Sequence, residues 1–81
     1  MNNKTNGIGF GENTRKTRKK LGITTQELAE ACGISRSYLT LIENGKRLPG
    51  KKVLPKIAKA LGISVTVALN WYLEDLREKF Q

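Results

Sequence analysis

The sequence predicts an all-α fold, a single compact bundle of five short helices, and three observations lead to this prediction. Apolar residues recur at intervals of three and four along the chain, which is the period of a helix that buries one face. Residues that favour helix starts, such as Thr24 and Ser35, alternate with glycines that favour helix ends, such as Gly33. No segment alternates apolar and polar residues in the way that is typical of a strand.

Composition limits the size of the protein and its chemistry. The chain has 81 residues, 38% of them hydrophobic, which is enough for one small core. A domain of this size buries only about 60% of its unfolded surface, so a second copy would add stability. There is no histidine, and Cys32 is the one cysteine. We therefore expect no enzyme, no internal disulfide, no metal site and no other cofactor.

Charge indicates the class of partner. Fifteen Lys and Arg residues against seven Asp and Glu give a net charge of +8, which favours a polyanion. Residues 1–22 carry +5 and residues 49–63 carry +4, whereas the stretch between them is neutral. The alternative is that these lysines only solvate helix faces. No apolar run approaches the ~18 residues of a membrane span and the polar start is not a signal peptide, so we expect a cytoplasmic protein.

The first two helices follow a predicted flexible arm, residues 1–9, which is rich in Asn and Gly. The stripe of the first helix consists of residues at spacings of four, three and four: Phe10, Thr14, Thr17 and Leu21. Gly22 ends this helix. Thr24 and Glu27 then form a capping box, T-x-x-E, that starts the second helix, and Gly33 ends it.

The remaining three helices have equally clear boundaries. Ser35 caps the third helix, and Asn44-Gly45 closes it. Pro55 must lie in the first turn of the fourth helix, because deeper in the helix it would clash with a carbonyl group. Ser64 caps a fifth helix that extends to about residue 80. The inward apolar residues of the second, third and fourth helices are Leu28, Ala29, Cys32, Leu39, Ile42, Leu54, Ile57, Ala58 and Leu61.

Residues 24–45 carry the functional signal. They form two capped helices joined by a three-residue turn that contains Gly33, which is the arrangement of a helix-turn-helix. The second helix of such a unit fits the major groove of DNA, about 12 Å wide. Opposite its two inward residues, the third helix presents a short polar face: Arg36, Ser37, Thr40, Leu41 and Asn44. A helix buried on both sides would not have this face, so we predict that it contacts DNA.

Two segments, GITTQELAEACGISRSYLTLIENGKR and LPKIAKALGIS, resemble the Cro/phage-repressor (XRE) family of helix-turn-helix proteins in order and spacing. The resemblance covers residues 9 to about 70. It implies a five-helix fold of the phage-repressor type that binds double-stranded operator DNA as a homodimer. It also implies repression of transcription, and we expect the target to be a mobile element, a plasmid or a restriction-modification locus.

The resemblance assigns roles to individual residues. The base-reading positions that it implies are Arg36, Ser37, Thr40 and Leu41. An arginine can donate two hydrogen bonds to a guanine edge, and Leu41 can contact only a thymine methyl group. The alternatives are a phosphate contact for Arg36 and simple solvation for the two hydroxyl residues. Contacts to the DNA backbone are implied for Thr25, Gln26, Tyr38, Asn44, Lys46, Arg47, Lys51 and Lys52.

The chain departs from the family pattern at the start of the second helix. Many members have Gln where this chain has Thr25, and that Gln contacts phosphate and braces the recognition helix. Thr25 is too short for both tasks, and Gln26 substitutes only in part. The resemblance further implies a partly buried ion pair between Arg18 and Glu43, with two solvated charges as the alternative. Tyr38 is expected to place its hydroxyl near the DNA or to serve packing alone.

The fifth helix, about residues 64–80, is the predicted dimerisation element. Its interface residues are predicted to be Leu69, Tyr72, Leu73 and Leu76, while Asp75 and its charged neighbours mark another side. An apolar stripe of this length exceeds what one small core covers, although Trp71 or Leu73 could cover the monomer core instead.

Two alternative functions remain open at this level. The first is an antitoxin that binds both its operator and a toxin, with the fifth helix as the candidate surface for the toxin, and the second is an adaptor for an acidic protein or RNA. We expect no small-molecule ligand, because 81 residues leave no room for a sensor domain.

Overall fold

The computed structural model of the chain describes residues 9–80, and within them it contains five α-helices and no strand. The helices are α1 (Phe10–Lys20), α2 (Thr25–Cys32), α3 (Arg36–Glu43), α4 (Val53–Leu61) and α5 (Val65–Lys79). The predicted all-α, five-helix class is therefore confirmed. The predicted arm lies outside the described residues except for Gly9, which is buried and is the N-cap residue of α1.

The start of α2 has both hydrogen bonds of a capping box. The Thr24 hydroxyl accepts from the Glu27 amide at 3.0 Å, and the Glu27 carboxylate accepts from the Thr24 amide at 2.9 Å. Ser35 caps α3 and Ser64 caps α5 in the simpler way, by accepting one backbone N–H each. Each cap contributes about 1 kcal/mol, which matters because helices of eight or nine residues are unstable alone.

The core lies where α2, α3 and α4 meet, closed by one end of α1 and one side of α5. Its buried apolar members are Phe10, Leu28, Ala29, Cys32, Leu39, Ile42, Leu54, Ile57, Ala58, Leu61 and Ala68. All the inward residues predicted for α2, α3 and α4 belong to this set. Pro55 is the third residue of α4, within the first turn as expected.

The predicted stripe of α1 is wrong in its second half. The buried residues of α1 are Phe10, Gly11, Thr14 and Arg18. Thr17 is half-buried, and Leu21, 52% exposed, lies past the last helical residue. The inward face follows a spacing of four from Phe10 through Thr14 to Arg18, because the guanidinium of Arg18 has a buried partner. Hydrophobicity alone could not predict that a charged residue would replace Leu21 inside.

One face of α5 closes the bundle over α1. The Trp71 ring meets the Phe10 ring edge-on, with 6.1 Å between centroids. Trp71 therefore covers the core of the monomer, which was the alternative to a place in the dimer interface. The Asp75 carboxylate accepts a hydrogen bond from the Phe10 amide at 2.9 Å. Asp75 therefore supplies the N-terminal cap of α1, since the glycine at the N-cap position has no side chain to do so. Asp75 thus lies on a different side of α5 from the exposed Leu69 and Leu73, and that side faces α1.

Candidate nucleic-acid interface

The face of α3 is set by the turn that precedes it and by the core beneath it. Gly33 ends α2 with φ +68°, a left-handed conformation that glycine adopts without a steric penalty. The chain then turns within three residues, and Ser35 starts α3. Leu39 and Ile42 are buried, so the opposite face of α3 must point to solvent. That face is held rigidly because its own helix is anchored in the core.

The structure brings the four predicted base-reading residues together. Arg36, Ser37, Thr40 and Leu41 are all exposed and line one shallow depression on the outer face of α3. Leu41 is 38% exposed, which leaves it available to contact a thymine methyl group. The face thus combines a guanidinium, two hydroxyl groups and one apolar side chain on a helix of the size that fits a major groove.

The segment after α3 folds back along the helix. The Lys46 amide donates to the Leu41 carbonyl at 2.9 Å, and the Arg47 amide donates to the same oxygen at 3.3 Å. Both side chains are exposed, as is Asn44 at the end of α3. The Arg47 guanidinium lies over the Tyr38 ring, 5.4 Å from its centroid. The half-buried Tyr38 ring packs against the core on its other side.

The remaining candidate phosphate contacts lie at helix starts. Lys51 and Lys52 are exposed, and Lys52 is the N-cap residue of α4, where the helix dipole also favours an anion. At the start of α2, Thr25 is half-buried, while the exposed Gln26 amide donates to the Glu30 carboxylate at 2.9 Å. In this conformation the Gln26 side chain lies along its own helix, so it does not brace α3.

Arg18 and Glu43 join α1 to the last turn of α3. Arg18 donates from Nε to Glu43 Oε2 at 2.8 Å and from Nη2 to Oε1 at 3.1 Å, which is a bidentate geometry. A third donor, Nη1, reaches the Ile23 carbonyl at 2.9 Å. The two side chains are only 9% and 5% exposed. The pair is therefore a buried structural contact, and its guanidinium is not available to DNA.

The predicted dimer residues lie on α5, apart from the outer face of α3. Leu69 and Leu73 are exposed, while Tyr72 and Leu76 are half-buried. Leu73 therefore does not cover the core. Leu69 and Tyr72 also line an apolar groove whose other walls are Pro49, Lys51, Leu54, Pro55 and Val65.

Several positions that shape this site do not follow from the sequence pattern. A Cβ atom at Gly11 would collide with the Ile42 carbonyl oxygen, so Gly11 is what lets α1 approach the end of α3. The Asp75 cap and the contact between Arg47 and Tyr38 were missed as well. The partners are 65 and 9 positions apart, and neither spacing follows a helical period.

Residues 9–80 contain no group of three or more Cys, Asp or Glu side chains that could hold a metal ion. Burial raises the pKa of the Cys32 thiol, and nearby Lys56 offsets this only in part, as befits a core residue. Within the same residues, no helix is long and apolar enough to span a membrane.

A rigid outer face on α3, flanked by exposed lysines and arginines, defines a helix-turn-helix DNA-binding domain. A family model described as helix-turn-helix matches residues 15–67. The chain belongs to this family, and the resemblance to its Cro/phage-repressor (XRE) type is confirmed by the relatives that follow.

The relatives are transcriptional regulators and a phage protein. YqaF, an HTH-type transcriptional regulator of Bacillus subtilis, is 43% identical over 62 residues, which span 76% of each chain. The ImmF control region 10 kDa protein of Bacillus phage phi105 is 38% identical over 61 residues, or 75% of this chain and 68% of that protein.

The fold is shared with solved structures of the biofilm regulator SinR. The crystal structure of SinR in complex with DNA is 34% identical with a TM-score of 0.68, and the match covers 74% of this chain and 97% of that one. A complex of SinR with the protein SinI gives a TM-score of 0.70 at the same identity, over 75% of this chain and 60% of that one.

Proposed function

We propose that this chain is a sequence-specific repressor that binds an inverted-repeat operator as a homodimer, with α3 in the major groove of each half-site. One observation carries the proposal, namely the contiguous exposed face of Arg36, Ser37, Thr40 and Leu41 on a helix anchored from behind. A face of this composition has no role in the core, and its spacing suits base edges in the groove.

Recognition divides between base edges and phosphates. Arg36 donates to the O6 and N7 atoms of a guanine, Ser37 and Thr40 reach either base type, and Leu41 contacts a thymine methyl group. Phosphates are bound by the cations that flank α3 and precede α4, supported by the net charge of +8. The phosphate contacts fix the register of α3, so that the few base contacts can discriminate. The backbone contacts proposed here are Thr25, Gln26, Asn44, Lys46, Arg47, Lys51 and Lys52, whereas the half-buried Tyr38 ring lies under the Arg47 guanidinium and supports that contact without touching the DNA itself.

The likeness to named regulators supports the repressor function. SinR has been crystallised with DNA, and the phage relative is named for an immunity control region. By analogy, we propose that this chain controls a mobile element. The sign of regulation is tested with a reporter gene behind the chain's own upstream region, where the protein should lower expression.

The exposed stripe of α5 supports the homodimer. Leu69 and Leu73 are 44% and 48% exposed, and Val65 adds a third exposed apolar side chain. Such patches mark interfaces when they are contiguous, and here the stripe continues into the groove beside Leu54. A two-fold contact through α5 would place two α3 helices about 34 Å apart, one turn of DNA.

A competition experiment tests the proposed function. Affinity for a fragment of the chain's own upstream region is measured across a salt titration, beside a scrambled fragment of equal length. We expect a preference of about 10³-fold or more at physiological salt. A second fragment carries five extra base pairs between the half-sites, which turns them to opposite faces and should abolish most of that preference. A preference below about tenfold contradicts the proposal.

A protein partner on α5 is the second candidate, because SinR was also solved in complex with SinI. It would make the chain an antitoxin or the target of an antirepressor. Sedimentation separates the two: a chain that remains monomeric at micromolar concentrations leaves the α5 stripe free for a different protein.

A further inference from the structure

Arg47 is held against α3 at both of its ends. Its amide donates to the Leu41 carbonyl, and its guanidinium lies over the Tyr38 ring. Tyr38 and Leu41 are one helical turn apart on α3, so the arginine lies along the side of the recognition helix. Its neighbour Lys46 donates to the same carbonyl oxygen but contacts no ring in the described part of the chain.

The Tyr38 ring has what a support for a cation requires. It is half-buried and packed against the core, and its own amide is fixed by the Ser35 hydroxyl at 3.0 Å. The ring is therefore in place before DNA arrives. The negative face of an aromatic ring attracts a guanidinium. The N–H groups that point away from the ring can still donate to a phosphate. Among the described residues, the Tyr38 hydroxyl has no hydrogen-bond partner.

We propose that Tyr38 is a positioning residue that acts through Arg47, and that its ring, not its hydroxyl, fixes the guanidinium to clamp one phosphate beside α3. This inference rests on the proposed DNA binding. A flexible arginine must lose its rotamer freedom when it binds, and an arginine already held on a ring has lost much of it. Because Arg47 is also tied to Leu41, the clamped phosphate sets how α3 enters the groove.

A double-mutant cycle tests the inference. Tyr38→Leu removes the ring and keeps an apolar side chain, and we expect its affinity for operator and scrambled DNA to fall alike, by about two- to fivefold. Arg47→Ala should lower the salt slope by about one. In the Arg47→Ala background, Tyr38→Leu should cause little further loss. The matched control is Lys46→Ala, in which the loss from Tyr38→Leu should persist in full.

The conservative variant distinguishes the ring from the hydroxyl. Tyr38→Phe keeps the ring and should bind DNA as the wild type does. If Tyr38→Phe loses as much affinity as Tyr38→Leu, the hydroxyl contacts DNA directly and the inference is wrong. Equal losses from Tyr38→Leu with and without Arg47 would show that Tyr38 serves packing alone, which also overturns it.

A measurement on the free protein does not depend on the leucine variant folding. The δ-methylene protons of Arg47 should show an upfield ring-current shift in the wild type and in Tyr38→Phe. Absence of that shift in the wild type would overturn the inference. A wild-type chain that binds neither operator nor scrambled DNA would overturn the proposed function as well, whereas additive losses in a chain that binds DNA would overturn only the role of Tyr38.

Discussion

At the scale of single residues, Arg36 should carry most of the preference for a base. Its side chain is exposed at the start of α3, among the residues of the outer face. We expect Arg36→Ala to lose about 1–3 kcal/mol of binding free energy, mainly on operators that have guanine at one half-site position. The loss is measured from the affinities of the wild type and Arg36→Ala for a set of operators, each changed at one base pair.

The matched control for Arg36 is Lys52, which is exposed at the start of α4 and is proposed to contact only phosphate. Lys52→Ala should weaken binding to all sequences alike and reduce the salt slope. If Arg36→Ala leaves the ranking of operator variants unchanged, then Arg36 does not contact a base.

Thr14 offers a prediction on stability. Its side chain is completely buried, and its hydroxyl has no hydrogen-bond partner in the part of the chain that the structure describes. Valine has the same shape without the polar group, so Thr14→Val should raise the free energy of unfolding by about 1 kcal/mol. Urea unfolding measures this free energy. Thr17 is half-buried, so Thr17→Val is a control whose free energy of unfolding should change little. A lower midpoint for Thr14→Val would mean that the hydroxyl is satisfied.

Residue-scale features differ in how well the sequence predicts them. The caps of α2, α3 and α5 can be recognised in the sequence, because each joins two residues only three positions apart. The Asp75 cap of α1 joins residues 65 apart, and no local pattern encodes it. The outer face of α3 followed from helical spacing once Leu39 and Ile42 were assigned inward, whereas the choice of four base-reading positions on it came from the family resemblance.

At the scale of helices, α1 connects the recognition helix to the C-terminal helix. Its last turn holds Glu43 through Arg18, and its first residue is capped by Asp75. A buried charge that loses its partner is strongly destabilising. We expect Arg18→Met or Glu43→Leu alone to cost about 3–5 kcal/mol, and the double variant to cost clearly less than the sum.

Chemical denaturation of the four proteins measures the coupling between Arg18 and Glu43. Additive losses would show that the two side chains do not interact in solution. The Arg18 contact with the Ile23 carbonyl is lost with or without Glu43, so it cancels in the cycle.

The inward face of α1 was the feature at this scale that the sequence predicted least well. The bounds of α2 follow from its capping box and from Gly33, and the end of α4 follows from Gly62, because such signals act within one turn. The inward face of α1 depends on what the rest of the fold presents to it, here a carboxylate on α3. A sequence pattern based on hydrophobicity assigns such a charged residue to the outside.

At the scale of the whole molecule, we propose that the α5 stripe determines whether one or two recognition helices meet the DNA. Tyr72 packs against the core, so a test of the interface should use the exposed Leu69 and Leu73. We expect Leu69→Asp with Leu73→Asp to give folded monomers, because two carboxylates would have to be desolvated in the interface. Operator affinity should fall by about 100-fold or more, while nonspecific binding partly survives.

Val67→Asp is the matched control for the dimer prediction. Val67 is 39% exposed but lies on a different side of α5 from Leu69 and Leu73, and the first turn of a helix accepts an aspartate well. Sedimentation should show a dimer for Val67→Asp and for the wild type. A dimeric Leu69→Asp/Leu73→Asp double variant would show that the interface lies elsewhere.

The contact between Asp75 and Phe10 has a consequence for how the protein is made. Helices α1 to α4 leave the ribosome first, and until residue 75 follows, the first turn of α1 has neither its cap nor the Trp71 ring above Phe10. Contacts between residues so distant in sequence form late, because they close the largest loops. A translation product that stops short of α5 would therefore contain α2 and α3 but leave the Phe10 side of its core open. Synthesis of α5 is therefore the step that caps α1 and closes the Phe10 side of the core.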